Sequence, residues 1–181
     1  MARAWIVASA LVLFAGPDLA SQTVQAPEYQ VKAVFLFNFA QFVDWPPAAG
    51  ADSLAPLVIG ILGDDPFGHF LDATVHGEHL GARPFVVRHY ARVEDTSACD
   101  ILFISQSESD KVEAILASLG NRPILTVSDV DGFAERGGMI RFVTGRNRIR
   151  LKVNLEAARA AHLAISSKLL RVAEIVMPTG R

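Results

Sequence analysis

The sequence is poor in cysteine, since its 181 residues contain only Cys99. An internal disulfide is therefore impossible, even in an oxidising compartment. The sequence also lacks an excess of charge of either sign, because the formal net charge is −2 and no long run of basic or acidic residues occurs. This balance argues against a nucleic-acid-binding protein and against a protein that adheres to membranes through a polybasic segment.

Long apolar runs are missing as well, and the most apolar stretch, from Ala4 to Ala15, lies at the start of the chain. It is shorter than the ~20 residues that span a bilayer, and it follows a basic residue and precedes small residues, as in a signal peptide. We predict cleavage after Ala20 or after Ala26. Residues 1–26 are then the signal peptide, residues 27–181 form a single domain, and the protein is periplasmic.

Strand and helix patterns alternate along the rest of the chain. The predicted strands are 57–62, 84–90, 100–104 and 124–127, and the predicted helices are 29–44, 66–75, 107–119 and 155–177. Residues 138–144 and 148–154 are predicted to form an antiparallel hairpin, because a turn-forming segment separates them. The fold class is therefore α/β, with a mixed sheet covered by helices on both faces in a three-layer arrangement that begins like a Rossmann fold.

Motifs that would indicate catalysis are incomplete. The turn at 63–69 has the glycine spacing of a phosphate-binding loop, but His69 stands where that loop needs a lysine. Asp64 and Asp65 resemble the acidic pair of receiver domains, yet the strand that should end in a further aspartate ends in Ser105. No serine has the Gly-x-Ser-x-Gly context of a hydrolase. We therefore predict that the protein is not an enzyme.

Histidine and cysteine also have simple structural explanations. His76 and His79 are close in sequence, but Gly77 between them favours a solvated loop over a metal site on a helix. We predict neither a metal nor a cofactor. Cys99 precedes an apolar strand and is predicted to be a small buried residue. His162 falls on the apolar stripe of the last predicted helix, where a buried core histidine is expected.

The first predicted helix is apolar on nearly all sides, which indicates either deep burial or contact with a partner. Its aromatic stripe contains Phe35 and Phe39, whereas Phe37 lies among polar residues on the opposite side. We predict that Phe37, Gln41 and Trp45 contact a partner protein.

The second arm of the predicted hairpin places Arg148 and Arg150 on one face of a half-buried strand. Together with Arg146 in the turn, they form a candidate site for an anionic ligand or an acidic partner. The alternative is that these outward charges only protect a sheet edge from aggregation.

Three stretches of the chain resemble the YfiR-like family of small periplasmic proteins, and together they cover roughly residues 29–176. The residues that carry the resemblance are Asn38 and Trp45 in the first stretch, Ser128, Asp129, Gly132, Phe133, Gly138 and Met139 in the second, and Asn154, Ser166 and Ser167 in the third. We expect these residues to maintain the fold before they serve a binding site: the glycines by permitting turns and Asn154 by capping a helix.

The resemblance implies a regulator. The best-understood member of the family binds the periplasmic sensor domain of an inner-membrane diguanylate cyclase and holds it inactive, which lowers cyclic di-GMP and biofilm formation. Other members accompany different membrane signalling proteins or outer-membrane receptors, so the partner is left open. The founding member has disulfides that affect its folding and activity, and Cys99 alone cannot form an internal one.

Two further possibilities stay open from the sequence. The protein could instead be a periplasmic sensor that binds a small anionic molecule near the hairpin. It could also form a homodimer, because a stripe of apolar residues spaced three and four apart can serve an interface as well as a core.

Overall fold

The computed structural model describes residues 19–46, 54–145 and 148–178. The helices are α1 (Leu19–Phe39), α2 (His69–Val75), α3 (Val112–Leu119), α4 (Leu155–Ala160) and α5 (Ser167–Leu170). The strands are β1 (Val43–Asp44), β2 (Leu57–Leu62), β3 (His79–Leu80), β4 (Arg83–Tyr90), β5 (Ile101–Ile104), β6 (Leu125–Ser128), β7 (Ile140–Gly145), β8 (Arg148–Val153), β9 (Ala164–Ile165) and β10 (Ala173–Ile175).

The main sheet has eight strands in the order β10-β8-β7-β6-β5-β2-β4-β3. Strands β4, β2, β5, β6 and β7 are parallel to one another, whereas β7 and β8 form an antiparallel hairpin. Strand β10 adds in parallel to the outer side of β8. Strands β1 and β9 form a separate two-stranded antiparallel pair. The predicted mixed sheet and its hairpin are thus confirmed.

Apolar side chains cover both faces of the sheet. One face packs against α1, α2 and α4 through residues such as Leu36, Phe103 and Val153. The other face packs against α3 through residues such as Leu102 and Ile115. Continuous apolar runs in β2, β5 and β6 follow from this arrangement, because a strand that is buried on both faces cannot alternate with polar residues. The three-layer prediction is therefore confirmed.

The predicted helix over residues 155–177 is wrong. The helix stops after α4, and the chain continues through β9, α5 and β10. His162 has a left-handed backbone with φ of 58°. The amide of Leu163 donates to the carbonyl of Ala158 at 2.9 Å, and the amide of His162 donates to the carbonyl of Arg159 at 3.0 Å. These two bonds form a Schellman motif, which ends a helix.

The prediction that His162 is a buried core histidine is also wrong, because His162 is exposed in this turn.

The first helix also differs from its prediction. It includes residues from Leu19 onward and ends at Phe39, five residues earlier than predicted, because Asp44 pairs with Ala164 in the β1–β9 ladder. The predicted helix at 107–119 begins with a 3-10 segment at Gln106–Lys111 and becomes α-helical only in α3.

Cys99 is buried, as predicted, with 5% of its surface exposed. Its thiol donates to the carbonyl of Ile101 at 2.9 Å and packs over Gly60, where a side chain would collide with it. Burial raises the pKa of the Cys99 thiol to about 12.

We predict that Cys99 of the folded protein resists thiol reagents at pH 8. The raised pKa leaves a thiolate fraction on the order of 10⁻⁴, and the thiolate is the reactive form. Modification by a chromogenic disulfide should be at least ~100-fold slower in buffer than in 8 M urea. Equal rates in the two solvents would show that the thiol is accessible in the native state.

A second prediction concerns Gly138, whose missing side chain makes room for the ring of Phe133. Phe133 is completely buried, so Gly138→Ala must displace packed atoms and should lower the free energy of unfolding by about 1–3 kcal/mol. Gly145→Ala is the matched control, because an added methyl group there meets no atom within 4 Å. Urea unfolding followed by circular dichroism measures both, and indistinguishable midpoints would contradict the packing argument.

Candidate partner-binding surface

One face of α1 is fixed to the sheet by aromatic packing. The rings of Phe35 and Phe39 lie 5.9 and 5.8 Å from the ring of Phe142 on β7. Phe39 is completely buried, and Phe35 is half-buried. The aromatic stripe that the sequence predicts is therefore the face that α1 turns toward the core.

A buried ionic cluster adds a polar anchor to the same helix. The side chain of Lys32 is only 2% exposed, and its Nζ lies 2.6 Å from Oδ2 of Asp129 and 2.5 Å from Oε1 of Glu28. The hydroxyl of Tyr29 donates to the same Asp129 oxygen at 2.8 Å. The Lys32 ammonium also lies 4.3 Å from the centroid of the Tyr29 ring. Glu28, Tyr29 and Asp129 thus converge on the single Lys32 ammonium group.

Lys32 and Asp129 are almost completely shielded from solvent. Asp129 follows β6 directly, and its side chain is 7% exposed. Burial, followed by the nearby Asp129 carboxylate, raises the pKa of Tyr29 well above its usual range. A charge buried this deeply is tolerated only with its partner present, so Lys32 and Asp129 depend on each other.

Sequence reasoning missed the role of Lys32. The available signal was a single cationic residue among the otherwise apolar positions of the first helix. A charged side chain at such a position is seldom fully buried unless it is paired. The sequence does not reveal which of the many acidic residues supplies the pair.

The outward face of α1 carries exposed apolar side chains. Val31 and Val34 are 48% and 47% exposed, and they lie three residues apart on the same side of the helix. Gln30 and Gln41 are exposed on the same stretch of chain. We refer to Val31, Val34 and Gln41 as the α1 face.

The three residues predicted to contact a partner occupy different environments. Gln41 is exposed, just after the end of α1. Phe37 is half-buried, and its ring packs against that of Phe85 on β4, with centroids 5.0 Å apart. Trp45 is half-buried after β1, and its indole Nε1 has no hydrogen-bond partner in the part of the chain that the structure describes. The exposed valines extend this candidate surface along the helix.

The candidate anion site on the hairpin is only partly visible. Arg148 and Arg150 are both exposed on β8, with half-buried Ile149 between them on the opposite face. Arg146 lies outside the described residues. Strand β8 is not itself the edge of the sheet, because β10 pairs with it.

The second stretch that resembles the family runs from Ser128 to Met139. Its residues mainly stabilise the chain segment between β6 and β7. The Ser128 hydroxyl donates to the carbonyl of Ile104 at 2.7 Å and accepts from the amide of Val130 at 3.0 Å. Gly132 has a positive φ of 71°, which a glycine adopts easily. The backbone of buried Met139 donates to the Thr126 hydroxyl at 3.1 Å.

Residues of the third stretch include two helix caps. The side-chain oxygen of Asn154 accepts from the amide of Ala157 at 3.0 Å at the start of α4, and its Nδ2 donates to the carbonyl of Ala134 at 2.9 Å. The Ser166 hydroxyl accepts from the amide of Lys168 at 3.2 Å at the start of α5. Ser167 is exposed in the first turn of that helix. Asn38, in the first stretch, is half-buried near the end of α1.

A groove of 1010 Å³ lies between α3 and α4. Its charged lining residues are largely engaged with protein groups: Arg136 pairs with Glu113 at 2.6 Å, and Glu135 pairs with Lys152 at 2.7 Å. These contacts compensate the charges of the groove internally.

No group of three or more histidine, cysteine, aspartate or glutamate side chains among the described residues is arranged to hold a metal ion. No helix formed by those residues is both long and apolar enough to cross a membrane.

Comparison with known proteins identifies the family. The model of the YfiR/HmsC-like family matches residues 29–174, and the chain belongs to this family. No curated protein matches the chain. The match contains the Lys32–Asp129 pair, the α1 face and the β7–β8 hairpin.

We predict that Lys32→Met lowers the free energy of unfolding by about 3–5 kcal/mol, because it leaves the Asp129 carboxylate buried without its counter-charge. Lys168→Met is the control, since Lys168 is exposed. The double variant Lys32→Met with Asp129→Leu should be more stable than Lys32→Met alone, because the deeply buried carboxylate is removed and only Glu28, whose side chain is 24% exposed, loses its counter-charge. Urea unfolding measures all three, and equal stabilities of Lys32→Met and Lys168→Met would show that the pair contributes nothing.

Proposed function

We propose that this member of the YfiR/HmsC-like family binds the periplasmic domain of an inner-membrane diguanylate cyclase and holds that enzyme inactive. Members of the family are periplasmic and regulatory rather than catalytic. The signal-peptide pattern in residues 1–26 supports export of this chain as well. The expected consequence is a lower level of cyclic di-GMP and less biofilm.

The α1 face is the observation that carries the proposal. Its valines are about half exposed, although the opposite side of the same helix is fixed by aromatic packing and by the Lys32–Asp129 pair. Apolar side chains on the solvent side of a helix are exposed at a cost in solvation, and a group of them often marks a protein interface. The natural complement is an apolar groove or helix on the partner.

The anchoring of α1 to the sheet suits an inhibitor. A regulator changes the activity of its partner only if it binds one conformation of that partner more tightly than the other. A helix that is anchored from behind keeps its outward side chains in one arrangement and loses little conformational freedom on binding. It can therefore discriminate between two shapes of the sensor domain.

The engagement of polar groups in the fold also supports a binding role. The Ser128 hydroxyl and the Asp129 carboxylate would be the natural candidates for hydrolytic chemistry at the end of β6. The hydroxyl instead bridges two backbone groups, and Oδ2 of the carboxylate accepts hydrogen bonds from Lys32 and Tyr29.

We predict that Val34→Asp abolishes recovery of the partner without unfolding the protein. A charge at the centre of an apolar contact must be desolvated on binding, which should weaken the complex at least ~10-fold. Val172→Asp is the matched control, because it makes the same change at a valine that is 69% exposed and lies outside α1. Val34 is preferred to Phe37, whose substitution would also remove the contact with Phe85.

The measurement is a pull-down from solubilised membranes of the native host, with the protein tagged at Arg181 and the retained proteins identified by mass spectrometry. The proposal requires an inner-membrane protein with a periplasmic domain and a cytoplasmic cyclase domain, retained by the unmodified protein and by Val172→Asp. Retention of that protein by folded Val34→Asp, or its absence from the unmodified bait, would refute the proposal.

A further inference from the structure

The outward side of the β7–β8 hairpin is a cationic surface. Side chains alternate along each strand, so Ile140 and Phe142 point to the core, and Arg141 and Val143 point the other way. In the antiparallel register, Arg141 lies opposite Lys152, and Val143 lies opposite Arg150. We define the basic face as Arg141, Val143, Arg148, Arg150 and Lys152.

One end of the basic face is neutralised within the protein. Lys152 Nζ donates to Oε1 of Glu135 at 2.7 Å and lies 3.8 Å from Oε1 of Glu174 on β10. The hydrogen bond with Lys152 lowers the pKa of Glu135, so that carboxylate stays ionised over the physiological range. Arg141 forms an ion pair with Asp131.

At the other end of the basic face, the charges of Arg148 and Arg150 are not neutralised by described residues. Arg148 and Arg150 are exposed, and neither has an ion pair with any residue that the structure describes. Their charges are therefore available to a ligand on the solvent side of β8.

Arg141 is bonded incompletely. Its side chain is 14% exposed, and its Nε is buried without a hydrogen-bond partner in the described part of the chain. Its partner Asp131 is 98% exposed, so this ion pair is held mainly by a solvated side chain. Because Nε is buried and Nη2 is already paired with Asp131, Arg141 adds positive potential to the basic face but not a direct contact with a ligand.

The spacing of the cations matches an extended peptide. Arg148 and Arg150 are alternate residues of a strand, so their Cα atoms are about 7 Å apart. Alternate residues of an extended ligand have the same repeat. Val143 lies across from Arg150 and is half-buried, which provides an apolar contact between the charged groups.

We propose that the basic face binds an extended acidic segment of a protein partner, with carboxylates on alternate residues facing Arg148 and Arg150. This inference rests on the proposed function, since it assigns a chemical class to a second part of the same partner. A membrane surface or a nucleic acid is a poorer fit, because the whole chain carries a net charge of −2 and the free cations occupy one short strip.

The test uses purified protein and a fluorescein-labelled peptide of alternating glutamate and threonine, eight residues long, with binding measured by fluorescence anisotropy. The control peptide has glutamine in place of each glutamate. We expect at least tenfold tighter binding of the glutamate peptide, and weaker binding as the salt concentration rises. Arg150→Glu should weaken binding at least tenfold, whereas Lys168→Glu, an equal change of charge at an exposed site away from the hairpin, should leave it unchanged.

Several results would overturn the inference. One is equal binding of the two peptides, and another is equal loss in Arg150→Glu and Lys168→Glu. Displacement of the peptide by an equal concentration of free glutamate would indicate a small-molecule site. Tight binding to vesicles containing phosphatidylglycerol, lost in Arg150→Glu, would indicate a membrane-binding face.

Val34→Asp separates this inference from the proposed function. That variant keeps the basic face and should bind the glutamate peptide normally. Peptide binding without recovery of a membrane cyclase would contradict the proposed function alone, and recovery of the cyclase without peptide binding would contradict the basic-face inference alone.

Discussion

The buried ion pair between Lys32 and Asp129 joins the first helix to the segment that follows β6, 97 residues later in the sequence. It has to form inside the protein, because both side chains are more than nine-tenths buried. Hydrophobic packing alone would hold α1 against the sheet at many similar positions, whereas a desolvated charge pair is satisfied in very few. The aromatic contacts supply most of the burial, and the ion pair fixes the position.

Because of this anchoring, the two sides of α1 have different roles. The inner side carries Phe35, Phe39 and Lys32, which attach the helix to the sheet. The outer side carries Val31 and Val34, which have no such task in the described structure and are available to a partner. The hairpin shows the same division, with a core side in contact with α1 and a cationic outer side.

Much of the fold could be predicted from local patterns. Runs such as 57–62 and 100–104 are apolar throughout and end at turn residues, so they indicate buried parallel strands. The hairpin could be predicted from its period-two alternation, including the outward arginines of β8. The end of the chain could not, because apolar residues spaced three and four apart at 155–177 imitate a helix. What interrupts that helix is the left-handed turn at His162 and the pairing of β9 with β1.

The candidate site was predictable to a smaller extent than the fold, because its exposure depends on contacts between residues that are distant in sequence. A helical wheel led to the prediction of Phe37, Gln41 and Trp45 as partner contacts. Such a wheel identifies the sides of a helix but not which residues pack over them. The structure covers Phe37 with Phe85 and exposes Val31 and Val34 instead. Such contacts depend on residues that are distant in sequence, and no local pattern encodes them.

The most direct test of the account is the cyclic di-GMP content of the native host. If the protein holds a diguanylate cyclase inactive, deleting its gene raises this content and restoring the unmodified protein lowers it again. A stably exported Val34→Asp variant should leave it high. An unchanged cyclic di-GMP level after deletion, under conditions in which the protein is expressed, would contradict the account.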